Sequence, residues 1–346
     1  MTESSFVVFG GTSHPELTNG ICEKLGVPVG KCEFRYFANS EQKPIIEETV
    51  RGKDIFIVQT GSADAQYKQY NKDGTVSEIS KSVGDHIMEV LLLMDACTRS
   101  GCRTISIIMP CFAYARQDKK DKPRAAISAK LVAKQFEIYK KFERITCVEL
   151  HNPCIQGYFD VSCDNLYTSN IMVSSLREVF SEERMRRLVV ISPDEGGAKR
   201  AGIVADKLKR PLLTMRKKRD YSTENKIEET KVMGEPEELS ELKGNLAVIV
   251  DDMLDTGGTL IETVKVLKKA GVSSVAIIVT HGILSGKAIE RINNEPYLEC
   301  VIVSNSLPQT RNMEKCQKLL VYQLDDLLAD VIKRLVNGGS VSELFE

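Results

Sequence analysis

Short, nearly continuous apolar runs alternate along the chain with longer segments whose apolar residues recur every three to four positions. The short runs predict strands at Phe6–Phe9, Ile55–Gln59, Thr104–Met109, Ile145–Leu150, Leu188–Ser192, Leu246–Val250, Val275–Thr280 and Cys300–Ser304. Helical spacing covers Glu16–Leu25, Asp85–Ser100, Ser128–Tyr139, Ile171–Phe180, Ala198–Leu208, Thr259–Ala270 and Asp325–Val336. Strands that are apolar on both faces and separated by helices predict an α/β fold with parallel sheets covered on both sides. Ligands of such sheets sit beyond the carboxyl ends of the strands.

The two halves resemble each other. Ser100-Gly101-Cys102-Arg103-Thr104-Ile105 and Ala270-Gly271-Val272-Ser273-Ser274-Val275 each read as a helix end, a glycine suited to positive φ, and a buried strand. Two similar α/β units follow. The first half is longer between Val58 and Ile105 than the second between Val250 and Val275, mostly over Ala65–Gly84. That polar stretch contains Asp73-Gly74 and predicts a surface loop or hairpin. Asp220–Glu241 is also polar and follows the basic run Arg216-Lys217-Lys218-Arg219, so it reads as a solvated linker or a cation-bearing lid.

Composition removes several classes. Lys+Arg 47 against Asp+Glu 48 gives a net charge of −1, which pulls the chain toward neither nucleic acid nor an anionic membrane. A 42% hydrophobic, 27% charged chain is a globular one. Apolar runs such as Val90–Met94 are too short to span a bilayer, and the first residues carry no secretory pattern, so a cytoplasmic protein is expected. The ten cysteines include no C-x-x-C pair, and most lie in apolar runs, as small buried hydrophobes in a reducing compartment do. Four scattered histidines make a structural zinc site improbable.

The strongest chemical signal is Val248-Ile249-Val250-Asp251-Asp252-Met253-Leu254-Asp255-Thr256-Gly257-Gly258-Thr259. A buried strand runs into two acids, then into small residues that let backbone N–H groups close around an anion at a helix start. Thr256 and Thr259 add hydroxyl donors, and Asp251 and Asp252 can accept from vicinal sugar hydroxyls. The pattern suits a phosphorylated ribose. A calcium loop does not fit, because the acids are adjacent rather than alternating.

This segment resembles the phosphoribosyl-pyrophosphate loop of type I phosphoribosyltransferases. Pro110–Lys122, Arg35–Glu41, Val50–Asp54, Ser192–Arg200 and Thr280–Gly282 are, in addition, similar to the signature segments of ribose-phosphate pyrophosphokinases, in order along the whole chain. The resemblance implies two tandem type I phosphoribosyltransferase-like domains with central parallel sheets flanked by helices. Residues 1–165 would carry the ATP site and oligomer contacts, 166–325 the ribose 5-phosphate loop and lid, and 326–346 a helix and tail returning to the first domain. It implies transfer of a pyrophosphoryl group from Mg-ATP to the anomeric hydroxyl of ribose 5-phosphate, with Mg2+ as cofactor. It further implies homodimers assembled into a hexamer, or a hetero-oligomer with a related subunit. Two other readings stand beside it: a phosphoribosyltransferase that consumes the pyrophosphate, and an inactive regulatory subunit of the same family.

The implied roles are specific. Phe37, Asn39 and Glu41 would hold the adenine, reaching across to a neighbouring subunit, although spacing alone equally suits a core aromatic at Phe37. Arg116, Gln117 and Asp121 would hold the ATP phosphates and ribose, where a solvated basic run is the bland alternative. His151 would contact ATP or magnesium, with Glu149 and Asp194 also near the metal. Asp194 would adjoin the ribose, unless it merely caps a helix. Asp255, Thr256, Gly257, Gly258 and Thr259 complete the sugar-phosphate cup.

Departures from the family pattern are informative. Glu149 stands where aspartate is usual. The lid's Lys-x-Arg can be read as Arg216/Lys218 in reversed order or as Lys217/Arg219; the latter pair is preferred, because lysine and arginine are not interchangeable at phosphate. Arg51, Gln156, Asp164, Asn165 and Ser342 match positions near the family's phosphate-sensing regulatory site. Pro153 replaces a hydroxyl residue there and removes a donor, which predicts altered phosphate and ADP regulation.

Overall fold

The computed structural model describes residues 5–61, 66–70, 76–220, 226–233 and 239–344; at 66–70, 76–80, 217–220 and 226–230 it describes the backbone alone. In chain order the elements are β1 (Phe6–Gly10), α1 (Pro15–Leu25), β2 (Cys32–Tyr36), β3 (Gln42–Ile46), β4 (Asp54–Val58), β5 (Gln66–Tyr70), β6 (Val76–Ser80), α2 (Val83–Arg99), β7 (Thr104–Ile108), α3 (Ser128–Phe136) and β8 (Phe142–Val148). A 3-10 turn (Pro153–Tyr158), β9 (Ser162–Leu166), α4 (Ser169–Val179), α5 (Glu182–Arg186), β10 (Leu188–Ser192), α6 (Ala198–Leu208), β11 (Leu212–Asp220) and β12 (Lys226–Met233) follow. The chain closes with β13 (Leu246–Leu254), α7 (Gly258–Lys269), β14 (Ser274–Gly282), α8 (Ala288–Asn294), β15 (Leu298–Ser304), α9 (Thr310–Lys315), β16 (Leu319–Tyr322) and α10 (Asp325–Asn337).

Two compact units result. The first comprises Met1–Leu166, Ser306–Pro308 and Gln323–Glu346; the second comprises Tyr167–Asn305 and Gln309–Tyr322. The first unit is built on a parallel sheet of order β1-β4-β7-β8-β9, with Ile55, Ile57, Ile105, Ile107 and Ile145 fully buried in it. Its α10 packs against α1, with Gly20 giving room to Asp325. The second unit carries the order β12-β11-β10-β13-β14-β15-β16, parallel except for the antiparallel edge strand β12. The sequence pattern predicts the central strands of both units because burial on both faces makes them continuously apolar.

Elements that are short or thin in apolar residues escape that pattern. The β2–β3 hairpin, β9, β11, β12 and the four-residue β16 are absent from the predicted strands. The polar Asp220–Glu241 stretch, read as linker or lid, holds β12, which pairs residue by residue with β11. Within Ala65–Gly84, β5 and β6 pair as a hairpin; the Asp73-Gly74 turn itself lies outside the described residues. β13 also runs four residues past Val250, since Asp251, Met253 and Leu254 keep register with Val279, His281 and Gly282 of β14. The acid pair therefore sits within the last turns of a strand rather than after it.

All ten cysteines are free thiols. Burial pushes Cys22 up to about 11 and Cys300 up to about 12, so both stay protonated at neutral pH. Among the described residues no helix is long and apolar enough to cross a membrane.

Candidate functional site

In the second unit the carboxyl ends of β10 and β13 lie side by side, because these strands pair in parallel register. β13 delivers Asp251 and Asp252, the latter 3% exposed. Asp251 Oδ1 accepts from the Asp252 backbone N–H at 2.9 Å. Arg200, from the first turn of α6, reaches Asp251 at 3.4 Å and Asp252 at 3.6 Å. Burial, with Asp252 second, pushes the Asp251 carboxyl up to about 8.

Asp194 lies in the loop after β10. Its Oδ1 accepts the Gly197 N–H at 3.1 Å within the turn that leads into α6, whose own start has no side-chain cap. A side chain at Gly197 would bring its Cβ to 3.1 Å from Ser192 Oγ and 3.5 Å from Asp251 Oδ1. The glycine spares a tight contact with Ser192, while the distance to Asp251 is one that ordinary side chains make.

Beyond Leu254 the chain turns through Gly257 in the left-handed region, φ 76°, and enters α7. No side chain caps α7, so its first-turn N–H groups keep their capacity for an anion. Thr256 and Thr259 are exposed beside them, and the Arg291 Nη1 that donates to the Thr256 carbonyl at 2.6 Å stands beside Gly258. Asp255 accepts from Ser285 Oγ. Asp194, Asp251, Asp252, Asp255 and the cup thus gather at neighbouring strand and helix ends of one unit. Arg200, Ser285 and Arg291 join them without having been assigned. Arg200 was within reach of sequence reasoning, as a cation three residues into the helix after Gly197. Arg291 lies 35 residues from its acceptor and leaves no local signal.

Lys217 and Arg219 fall on β11, in register with Thr230 and Ile227 of β12. Leu213 and Met215 of the same strand are buried in the core that includes Leu260, Ile261 and Val264 of α7, while Arg216 is exposed.

The first unit holds the remaining candidates. Phe37 is 55% exposed at the turn between β2 and β3, so it is not the core aromatic that spacing equally allowed. The turn closes through Phe37 N–H to the Glu41 carbonyl at 2.9 Å and Glu41 N–H to Asn39 Oδ1 at 3.2 Å, grouping Phe37, Asn39 and Glu41. Arg116, Gln117 and Asp121 are exposed on the loop after β7. His151 is exposed after β8, and the Val148 N–H to Pro110 carbonyl bond, 2.9 Å, keeps its loop beside theirs. Glu149 is buried, with φ 43°. Among the described residues no three His, Cys, Asp or Glu side chains come close enough to hold a metal ion by themselves.

The regulatory matches are less coherent within one chain. Arg51 precedes β4, whereas Asp164 lies on β9, three strands away and level with Val58 at the far end of β4. Asp164 is ion-paired with Arg144 at 2.6 Å, and Asn165 Oδ1 accepts the Leu150 N–H. Gln156 donates to the Pro153 carbonyl at 3.0 Å, and Ser342 opens a terminal 3-10 turn.

Two family models match the chain. Residues 6–139 match the N-terminal domain of ribose phosphate pyrophosphokinase, and residues 162–304 match the phosphoribosyl transferase domain. Among solved structures, the phosphoribosylpyrophosphate synthetase from Mycobacterium smegmatis is 32% identical, with 97% of this chain and 100% of that one covered, at a TM-score of 0.82. The orotate phosphoribosyltransferase from Aeropyrum pernix is 24% identical over 37% of this chain and 67% of its own, at a TM-score of 0.29. APRTase from Giardia lamblia is 19% identical over 45% and 78%, also at 0.29. At those scores the last two add nothing to the assignment.

Proposed function

The chain belongs to the ribose-phosphate pyrophosphokinase (phosphoribosyl pyrophosphate synthetase) family, and from that membership we propose that it transfers the pyrophosphoryl group of Mg-ATP to the anomeric hydroxyl of ribose 5-phosphate, releasing AMP. The observation that carries the reading is the uncapped start of α7 directly after the Asp251–Asp252 pair. Free N–H groups, Thr256 and Thr259 would bind the 5-phosphate, while the carboxylates accept from the 2- and 3-hydroxyls. Holding both ends of the sugar fixes the anomeric oxygen for in-line attack on the β-phosphorus.

Phe37, Asn39 and Glu41 would receive adenine, and Arg116, Gln117, Asp121 and His151 the remainder of ATP. Lys217 and Arg219 are the preferred lid cations, because lysine and arginine are not interchangeable at phosphate. Charge develops on the transferred oxygens and on leaving AMP, so cations aimed there lower the barrier. Magnesium fits the hard oxygen donor of Asp194 together with substrate phosphates, which suits an ion that keeps few protein ligands. When bound it would neutralise the triphosphate. Assembly into dimers and a hexamer, and a phosphate-responsive site weakened by Pro153, belong to the same proposal.

The purified chain incubated with Mg-ATP and ribose 5-phosphate should release AMP in step with phosphoribosyl pyrophosphate. Absence of AMP from the chain alone, with stimulation of an active relative, would replace this reading by a regulatory subunit.

A further inference from the structure

Asp118 is an anomaly in its loop. From Arg116 to Arg124 the other side chains are exposed, yet Asp118 is only 5% exposed. Its Oδ2 accepts from Asn152 Nδ2 at 2.5 Å, and its backbone carbonyl accepts from the Tyr158 hydroxyl. Asn152 also acts in the other direction: its Oδ1 accepts the Cys154 N–H at 3.0 Å and so caps the 3-10 turn. One asparagine amide therefore ties the loop after β7 to the loop after β8. The loop after β7 has a second anchor, since Gln117 Oε1 accepts from Ser128 Oγ at 2.6 Å and the Gln117 carbonyl from the Ala129 N–H at 3.2 Å. Between these fixed points stand Arg116 and Asp121; directly before Asn152 stands His151.

We propose that Asp118, Asn152 and Tyr158 are positioning residues that hold Arg116, Gln117 and Asp121 in register with His151, so that both loops face one nucleotide polyphosphate. The inference rests on the reading of the first unit as the nucleotide-binding half. Long exposed cations lose rotamer and backbone freedom when they engage a polyphosphate, and a loop pinned beforehand loses less. Carboxylate burial would be costly without this purpose or another, and the amide donor offsets it. None of the three need touch the ligand. Asp118 presents both its side chain and its carbonyl to the β8 loop.

The test uses the full chain and a non-hydrolysable ATP analogue followed by titration calorimetry, alongside steady-state kinetics and thermal melting. Asn152→Ala and Asn152→Asp should each weaken analogue binding about tenfold, the size expected for a lost hydrogen bond to a charged group. The second places a carboxylate against Asp118. The double variant Asp118→Asn/Asn152→Asp rebuilds the bond with donor and acceptor exchanged, and should return binding to near the wild-type level. Tyr158→Phe, which removes one hydroxyl, should weaken binding by a smaller factor. KM for ATP should rise in the single variants while KM for ribose 5-phosphate stays put. Wild-type binding and KM values in Asn152→Ala and Asn152→Asp would overturn the inference and leave the nucleotide reading intact. Failure of the exchanged pair to restore binding would also overturn it. A wild-type chain that binds no analogue would remove the nucleotide reading, and this inference with it.

Discussion

The loop between β4 and α2 in the first unit and the loop between β13 and α7 in the second occupy matching places in similar sheets, and they meet the same physical problem in opposite ways. Both follow a central buried strand and lead into a helix whose N–H groups need partners. In the first unit the problem is solved internally. Ser82 Oγ accepts the Asp85 N–H and Asp85 accepts the Ser82 N–H at 2.8 Å, a complete capping box. Beside it the fully buried Glu89 takes Lys81 at 2.5 Å, Thr12 N–H at 2.9 Å and Gln59 Nε2 at 2.7 Å. Lys81 also lies 4.7 Å from the Tyr36 ring. Burial pushes its ammonium below the usual lysine range and Glu89 opposes that. Both the helix start and the buried carboxylate are thus met by side chains of the same unit.

In the second unit the start of α7 has no side-chain cap, and Arg200 lies 3.4 Å from Asp251 and 3.6 Å from Asp252. What differs is the helix start: first-turn N–H groups without a side-chain cap are kept where a phosphorylated sugar would complete them. Lys81, inside the Ala65–Gly84 stretch, supplies the ammonium that meets Glu89 in the first unit.

The comparison can be broken most severely at Lys81. Lys81→Ala leaves Glu89 buried without its cation and should cost roughly 3–5 kcal/mol in chemical denaturation, whereas replacing both by apolar residues should cost much less. Equal losses for the single and double variants would show that Lys81 does not serve as the counter-charge. On the other side, Asp255→Asn should raise KM for ribose 5-phosphate about tenfold or more with little change in melting temperature. Unchanged kinetics would take Asp255 out of the site.

A third variant addresses the raised carboxyl. The folded Asp251 carboxyl is raised to about 8 by burial, while the unfolded one ionises near its ordinary value. Between roughly pH 4 and 8 the folded state keeps a proton that the unfolded state releases, so stability declines as pH rises through that window. Asp251→Asn cannot ionise. Without metal or substrate it should melt a few degrees above the wild type at pH 9 and near it at pH 4, followed by calorimetry. Ser82→Ala should have the smallest effect, about 1 kcal/mol of stability from the lost cap, with KM for ribose 5-phosphate unaltered. A change in that KM would link the capped helix start to the one without a side-chain cap.

The candidate residues were not equally legible. Asp251 to Thr259 could be read because the strand, acids, cup and helix start are contiguous, so local spacing carries the geometry. The hairpin bearing Phe37 was harder: β2 and β3 are half-exposed and lack the apolar run that marks a central strand. Arg291 and Asn152 were invisible as partners, since the residues they meet lie far along the chain. The lid pair was ambiguous in sequence because four basic residues run together on β11.

Alone, the sequence determined the α/β alternation, the central strands, the paired units and the anion cup, because each depends on neighbours within a few positions. Tertiary structure alone decided which buried charge and which helix start are met from within the chain. That turns on whether a distant side chain arrives, as Lys81 and Thr12 do for Glu89. Burial and partnership are properties of packing, and linear spacing does not encode them.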